Sequence, residues 1–296
     1  MRTTRHAAQI IGLVLIAPVA WAEFPTSQPF TGVMYQQETR SDPPMRLFVA
    51  VVDLASPKVH VRTTPGGPDP DGPGEWETTL MTPTTIAARE KFDLVVNGDF
   101  FAVRAVKDAG QTKPAYRPDV WAGAIGPAVT DGRTWSVAKE RTPCLVVYKN
   151  RKAAIEPVDS PPADAWAVVA GNVMLVEDGK ALPQTNQARH PRTVAGVDKK
   201  GTKLTLLVVD GRRPGTSIGM TYEDLAKEMV RLGCWRALNL DGGGSSVMAM
   251  REPATGKYKI LNTPSDGRER PVANVLGVRI DGGPREKSMP TAPEKN

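Results

Sequence analysis

From residue 119 to residue 210 the chain repeats one pattern. Short runs rich in Val, Ala, Leu and Thr are cut by the dipeptides Asp131-Gly132, Asp178-Gly179 and Lys200-Gly201. β-branched side chains suit a pleated surface, and a Gly in such a dipeptide takes the backbone conformation that folds one strand back on its neighbour. Three such turns imply antiparallel or mixed sheet. The runs PMRLFVAVVDL (44–54) and KVHVRTT (58–64) read as two further strands. Against these stand two clear helix signals. In TPTTIAAREKF, Thr82 is placed as N-cap with Pro83 at the first helical position. In TYEDLAKEMVRLG, Thr221 and Asp224 form a capping box, Leu225, Met229 and Leu232 share one face, and Gly233 ends the helix. The expected fold is α+β, with mixed or antiparallel β-sheets and a few packed helices in a strand-rich single domain.

The chain of 296 residues, 40% hydrophobic, is long enough for a substantial core. Its first 22 residues place Arg2 and Arg5 before an apolar run from Ile10 to Ala20 and end in Ala-Trp-Ala. They read as a secretory signal cleaved after Ala22, with a run too short to span a bilayer comfortably. The expected location is therefore periplasmic or secreted. Cleavage takes away two Arg and no acid, lowering the net charge from +6 to +4. With no dense Lys/Arg stripe, nucleic acid is not an expected partner. Residues 23–75 form an N-terminal extension with the first strands, 76–281 the main domain, and 282–296 a polar, Pro-containing tail expected to be disordered. Cys144 and Cys234 are the only cysteines, too few for a disulfide scaffold or a four-Cys zinc site. A bridge between them and two separately buried thiols are both open readings.

Polar residues gather where predicted strands end: Asn97 and Asp99, Asp210 and Arg212, Asn239 and Asp241. Arg189, His190 and Arg192 precede an apolar strand, and Asp266, Arg270 and Asn274 precede another. Most pointed is NLDGGGSS, residues 239–246, where Gly242, Gly243 and Gly244 lie between Asp241 and the hydroxyls of Ser245 and Ser246. The triplet is either a plain turn or a backbone cradle for an anion. No G-x-x-x-x-G-K-[ST] or G-x-G-x-x-G pattern supports nucleotide binding, and no G-x-S-x-G supports a serine hydrolase. With only His6, His60 and His190 in the chain, a His-rich zinc site is excluded. An oxygen-only site for a divalent cation is left open, and no cofactor is expected.

Four motifs in order, VVNGDFF, RHPRTVAGVD, the stretch LLVVDGRRPGTSIGMTYEDLAKEMVRLGCWRALNLDGGGSSVM and NTPSDGRERPVANVLGV, resemble the phosphodiester glycosidase family over residues 90–280. The family's animal motif carries Gly where this chain carries Asp99. The resemblance implies hydrolysis between a sugar anomeric carbon and a phosphodiester oxygen, on a phosphorylated carbohydrate such as an envelope glycan or exopolysaccharide. Under it, Asp241 is expected as nucleophile or base and Asp99 as a second carboxylate. Arg192 would grip phosphate, helped by His190, Arg212 or Arg270. The Gly242–Gly244 amides, Ser245 and Ser246 would bind sugar or phosphate oxygens, and Asn97, Asp210, Asn239 and Asn274 would orient the substrate or the carboxylates. The rival readings are a non-catalytic phosphoglycan-binding protein and an assembly factor for exopolysaccharide export.

Overall fold

The computed structural model describes residues 26–108, 111–138 and 140–282. The expected signal segment and, apart from Gly282, the expected tail lie outside the described residues. Strands dominate, as the turn spacing required. The largest sheet has eight strands in the order Thr26–Phe30, Val33–Ser41, Pro44–Asp53, Lys203–Val209, Arg192–Val197, Arg236–Asn239, Val173–Glu177, Lys180–Ala181. A five-stranded sheet runs Tyr258–Ile260, Met248–Arg251, Leu94–Asn97, Asn274–Ile280, Val59–Pro65. A third, also of five strands, spans residues 128–170. Within these three sheets every pairing is antiparallel. All three expected X-Gly dipeptides sit at hairpin turns, with Gly132, Gly179 and Gly201 at positive φ. The segment before residue 75 supplies four strands, three to the eight-stranded sheet and one to the five-stranded sheet beside it.

Period-two alternation explains why several strands read as unbroken apolar runs. In Pro44–Asp53, Phe48, Ala50 and Val52 face the shared core, whereas Leu47 and Val49 face the opposite side of the sheet. In Lys203–Val209 the same division separates Leu204, Leu206 and Val208 from Leu207 and Val209. Both faces are buried, so neither set is polar. The inner face meets Leu94, Val96, Leu276 and Val278 of the second sheet and Leu145, Ile155 and Val169 of the third. The outer face is covered by helix α2, Tyr222–Arg231, through Leu225, Ala226 and Met229. Helix α1, Pro83–Glu90, covers the outer face of the second sheet through Ile86 and Ala87. The result is a sheet sandwich with a helix on each outside.

Both helix starts fall where the sequence put them, but they are capped differently. In α2 the Asp224 amide donates to Thr221 Oγ1 at 3.0 Å, and the Asp224 carboxylate returns the contact to the Thr221 amide, completing the capping box. In α1 the Thr82 hydroxyl makes no capping bond and pairs with Thr85 Oγ1 at 2.7 Å. A tertiary partner replaces it: the Thr84 amide donates to Glu269 Oε2 at 3.0 Å, placing a carboxylate at the positive end of the helix. The two thiols are free and buried in separate apolar clusters, Cys144 in the third sheet and Cys234 beside α2, so the disulfide reading is set aside.

One end of the sandwich collects the strand termini that the sequence marked. Asn97 ends its strand opposite Val275, and Asn239 ends its strand opposite Val194 and Val173. From Asn239 the chain leaves the eight-stranded sheet, passes through the Gly triplet, and enters the second sheet at Met248. The triplet is thus a crossover between sheets, tightened by a 3-10 turn over Gly243–Ser245. Because α2 packs over this end and its first turn depends on the capping box, Thr221→Ala is expected to cost about 1 kcal/mol of stability. Denaturant unfolding of the two proteins measures it.

Candidate active site

Asn97 is fully buried, and its side chain bonds to both sides of the crossover. Its Nδ2 donates to the Asp241 carbonyl at 2.7 Å, while Oδ1 accepts from Thr193 Oγ1 at 2.7 Å and from the Val247 amide at 3.1 Å. The Asp241 amide in turn donates to the Gly98 carbonyl at 3.1 Å. These bonds bring the segment Gly98-Asp99 against Asp241, although the two lie far apart in sequence. Asn274 completes the frame: its Oδ1 accepts from the Asp99 amide at 2.8 Å and its carbonyl from the Gly98 amide at 3.1 Å.

The two carboxylates so joined are both held above their ordinary range. Asp99 is 3% exposed, and burial, reinforced by the Asp241 charge, pushes its pKa up to about 7. Amides of Gly126 and Phe100 oppose the shift, the former by a 2.8 Å bond to Asp99 Oδ2. Asp241 is raised to about 6 by burial, against the Ser245 hydroxyl, the Gly242 amide and the Arg270 charge. Near neutral pH the pair therefore holds one largely ionised carboxylate and one that is about half protonated. That is the division of labour a glycosyl transfer needs.

The glycine triplet is cut to fit arginines. A Cβ on Gly244 would collide with the Arg270 guanidinium and the Asp266 carboxylate, and one on Gly243, at φ +61°, would lie 3.0 Å from Arg212 Nη2. A Cβ on Gly242 would press on the Pro191 carbonyl at 2.9 Å, with Arg192 just behind. Arg270 is oriented by Asp266 Oδ2 at 2.9 Å from Nε and by the Tyr116 ring 4.3 Å from its guanidinium carbon. Arg192 is 5% exposed and differently engaged. Its Nε and Nη2 donate to the carbonyls of Met220 and Ala188, and its guanidinium lies 4.1 Å from the centre of the Tyr222 ring. Burial, together with the charges of Arg192 and Arg212, lowers the pKa of His190.

Among the described residues, several buried side-chain atoms that lack a hydrogen-bond partner belong to this end of the sandwich. They include His190 Nδ1, Asn239 Oδ1, Ser246 Oγ and Asn274 Nδ2. Unpaired buried polar atoms are costly, so their concentration marks a place built to bind something polar. Asp210 itself holds the loop that follows the crossover: Oδ1 accepts from the Thr263 amide at 2.8 Å and Asn262 Nδ2 at 3.2 Å, while Oδ2 lies 3.8 Å from Arg46. Among the described residues no group of three or more His, Cys, Asp or Glu side chains is arranged to hold a metal.

Comparison with known proteins fits this geometry. Residues 90–279, the stretch that contains every group just described except Arg46, match the model of the phosphodiester glycosidase family. The chain belongs to that family. Its fold is shared with the catalytic domain of zebrafish N-acetylglucosamine-1-phosphodiester α-N-acetylglucosaminidase, auto-inhibited by its pro-peptide. The TM-score is 0.59 at 19% identity, covering 90% of this chain and 85% of that one. A Burkholderia pseudomallei protein described as exported gives 0.57 at 18% identity, over 80% and 74% of the two chains. A Bacillus subtilis prophage-derived protein is 38% identical over 142 residues, 45% of this chain. The chain spans only 20% of that curated relative's length.

For this phosphodiester glycosidase family member, sequence reading passed over several supports. Asn262 is a second buried stitch, accepting from the Met248 amide at 2.9 Å and donating to the Ser246 carbonyl at 3.0 Å. Thr193, Asn172 and Tyr116 likewise hold Asn97, Asn239 and Arg270. Thr193 carried a signal, a polar residue inside the apolar run RTVAGV, whereas Tyr116 is joined to Arg270 only by folding.

Asp99 also predicts a stability effect. Its folded-state pKa exceeds the unfolded value, so its contribution favours the fold fully only below about pH 4 and is lost as pH rises through about 7. Asp99→Asn is therefore expected to stabilise the protein relative to wild type by on the order of 1–4 kcal/mol at pH 8 and by little at pH 4. Thermal unfolding across that range checks the sign.

Proposed function

We propose that the protein hydrolyses a glycosyl phosphodiester at the anomeric carbon, releasing a free sugar and a phosphomonoester, in the periplasm or outside the cell. The observation that carries this reading is the joined pair Asp99 and Asp241, two raised carboxylates set beside an arginine-backed bend. Phosphate is a good leaving group, so the bond to C1 needs less acid assistance than an alkoxide would. The demand falls instead on cations that receive the charge and on one placed carboxylate.

In this reading Asp241 takes the proton from a water that attacks C1, or itself attacks C1 to form a glycosyl ester that water then hydrolyses, freeing the sugar and the carboxylate. The C1–O bond breaks, and its electron pair departs with the phosphate oxygen. Arg270 and Arg212 sit where that charge develops, with the Gly243 and Gly244 backbone allowing close approach. Arg192, turned toward carbonyls and the Tyr222 ring, acts as a positioning residue beneath Gly242. Asp99, protonated in part, hydrogen-bonds a substrate oxygen or returns a proton. Ser246, Asn239 and Asn274 supply unpaired polar atoms that meet sugar or phosphate oxygens, and the Ser245 hydroxyl steadies Asp241. A phosphorylated envelope glycan or exopolysaccharide fits a chain that shares its fold with a protein described as exported.

Asp241→Asn is expected to lower turnover of a sugar 1-phosphodiester by on the order of 10³-fold, and to abolish a rise in kcat/KM expected for wild type through about pH 6. Reducing sugar and phosphomonoester measured together test the bond cleaved. Sugar 1-phosphate as product would place the cut on the other side of phosphorus, and near-normal turnover of the variant would remove Asp241 from the mechanism.

A further inference from the structure

Next to Asp99 lies a groove of about 490 Å³ whose lining includes Trp76, Ile125, Thr142 and the carboxylates of Glu75, Glu77 and Glu140. Its wall is continuous with the reacting centre. Gly126, which follows Ile125, donates its amide to Asp99 Oδ2 at 2.8 Å, and the Ile125 amide donates to the Phe100 carbonyl at 3.0 Å. Thr142 packs against the same glycine. The Ile125-Gly126 backbone thus forms the groove wall on one side and contacts Asp99 on the other.

The groove's chemistry differs from that of the glycine bend. Ile125 is large, apolar and 60% exposed, and Trp76 is half-buried beside it. Glu77 lies against Gly123, its Oε2 2.6 Å from where a Cβ there would stand. On the bend side the charged groups facing the site are guanidinium groups, partnered in part by Asp266; on the groove side they are carboxylates. A phosphoryl group is drawn to the first and repelled by the second. Hydroxyl groups donate to carboxylates, and the C–H face of a pyranose stacks on an indole ring, so neutral sugar suits the groove.

We propose that this groove is a subsite for further neutral sugar residues on the glycosyl portion of the substrate. The protein then takes phosphodiesters of an oligosaccharide in preference to those of a single sugar. The inference rests on the glycosidase reading for its orientation: phosphate toward Arg270, anomeric carbon between Asp241 and Asp99, and the rest of the glycan along Trp76.

Two measurements on the full-length mature protein test it separately from that reading. The first is calorimetric binding of the free neutral tetrasaccharides cellotetraose and chitotetraose, which carry no phosphate and need no hydrolysis. Wild type and Trp76→Phe are expected to bind at least one of them, and Trp76→Ala to lose about tenfold in affinity, ~1.4 kcal/mol. The second compares kcat/KM for a methyl phosphodiester of the single sugar and of the preferred tetrasaccharide. Trp76→Ala is expected to lower the second about tenfold and leave the first unchanged. Binding at Trp76 without hydrolysis of either ester would keep the groove and sink the hydrolase reading. Equal hydrolysis of both esters, no binding of either tetrasaccharide, or binding indifferent to Trp76 would overturn the groove proposal.

Discussion

The carboxamide of Asn97 is the interaction on which the rest of this site depends. It sits between two sheets, fully buried, and bonds at once to the strand Arg192–Val197, to the residue where the glycine crossover begins, and to the residue where it ends. Each bond adds only about 1 kcal/mol net, but each partner left unpaired in such a place costs about 1–3 kcal/mol. The crossover can therefore close in one way. Once it does, the Asp241 amide meets the Gly98 carbonyl, and Asp99 and Asp241 share a boundary that neither sheet could provide alone.

The site so formed gives up stability. Asp99 stands in a buried setting that disfavours its charge, and polar atoms of Asn239, Ser246 and Asn274 around the crossover go without hydrogen-bond partners inside the protein. A core designed only to be stable would replace them. The three glycines show the same priority, because the space a side chain would fill is given to arginines or to backbone. Under the proposed reading, the cations on one side, the paired carboxylates in the centre and the acidic, partly aromatic groove beyond them would serve phosphate, anomeric carbon and glycan.

Much of the fold was legible because local rules and tertiary demand agree. The X-Gly dipeptides needed positive φ and received it, and the α2 capping box is local by nature. The start of α1 was legible from Thr82 and Pro83, but its cap was not, since Glu269 is supplied from a distant loop. For the site, the ends of apolar runs named Asn97, Asp99, Asp210, Asn239 and Asp241 correctly as strand-end residues, because antiparallel strands bring alternate ends to one edge. The direction of a guanidinium was beyond that reasoning. Arg192 and Arg270 look alike in sequence, yet one is turned to Met220 and Ala188 carbonyls while the other lies over Tyr116 beside Gly244. The cysteine pair shows the same limit, for spacing along a chain does not say that two thiols enter different clusters.

The central claim is that the fold forces Asp99 and Asp241 to titrate as neighbours in a desolvated place. Carbon-13 NMR titration of the aspartate carboxyl groups, assigned by loss of signal in the two Asn variants, reads this directly. The account predicts two carboxyls titrating near 7 and near 6, with the Asp99 midpoint falling when Asp241 is neutralised. Both carboxyls titrating independently at the ordinary aspartate value of about 4 would contradict it.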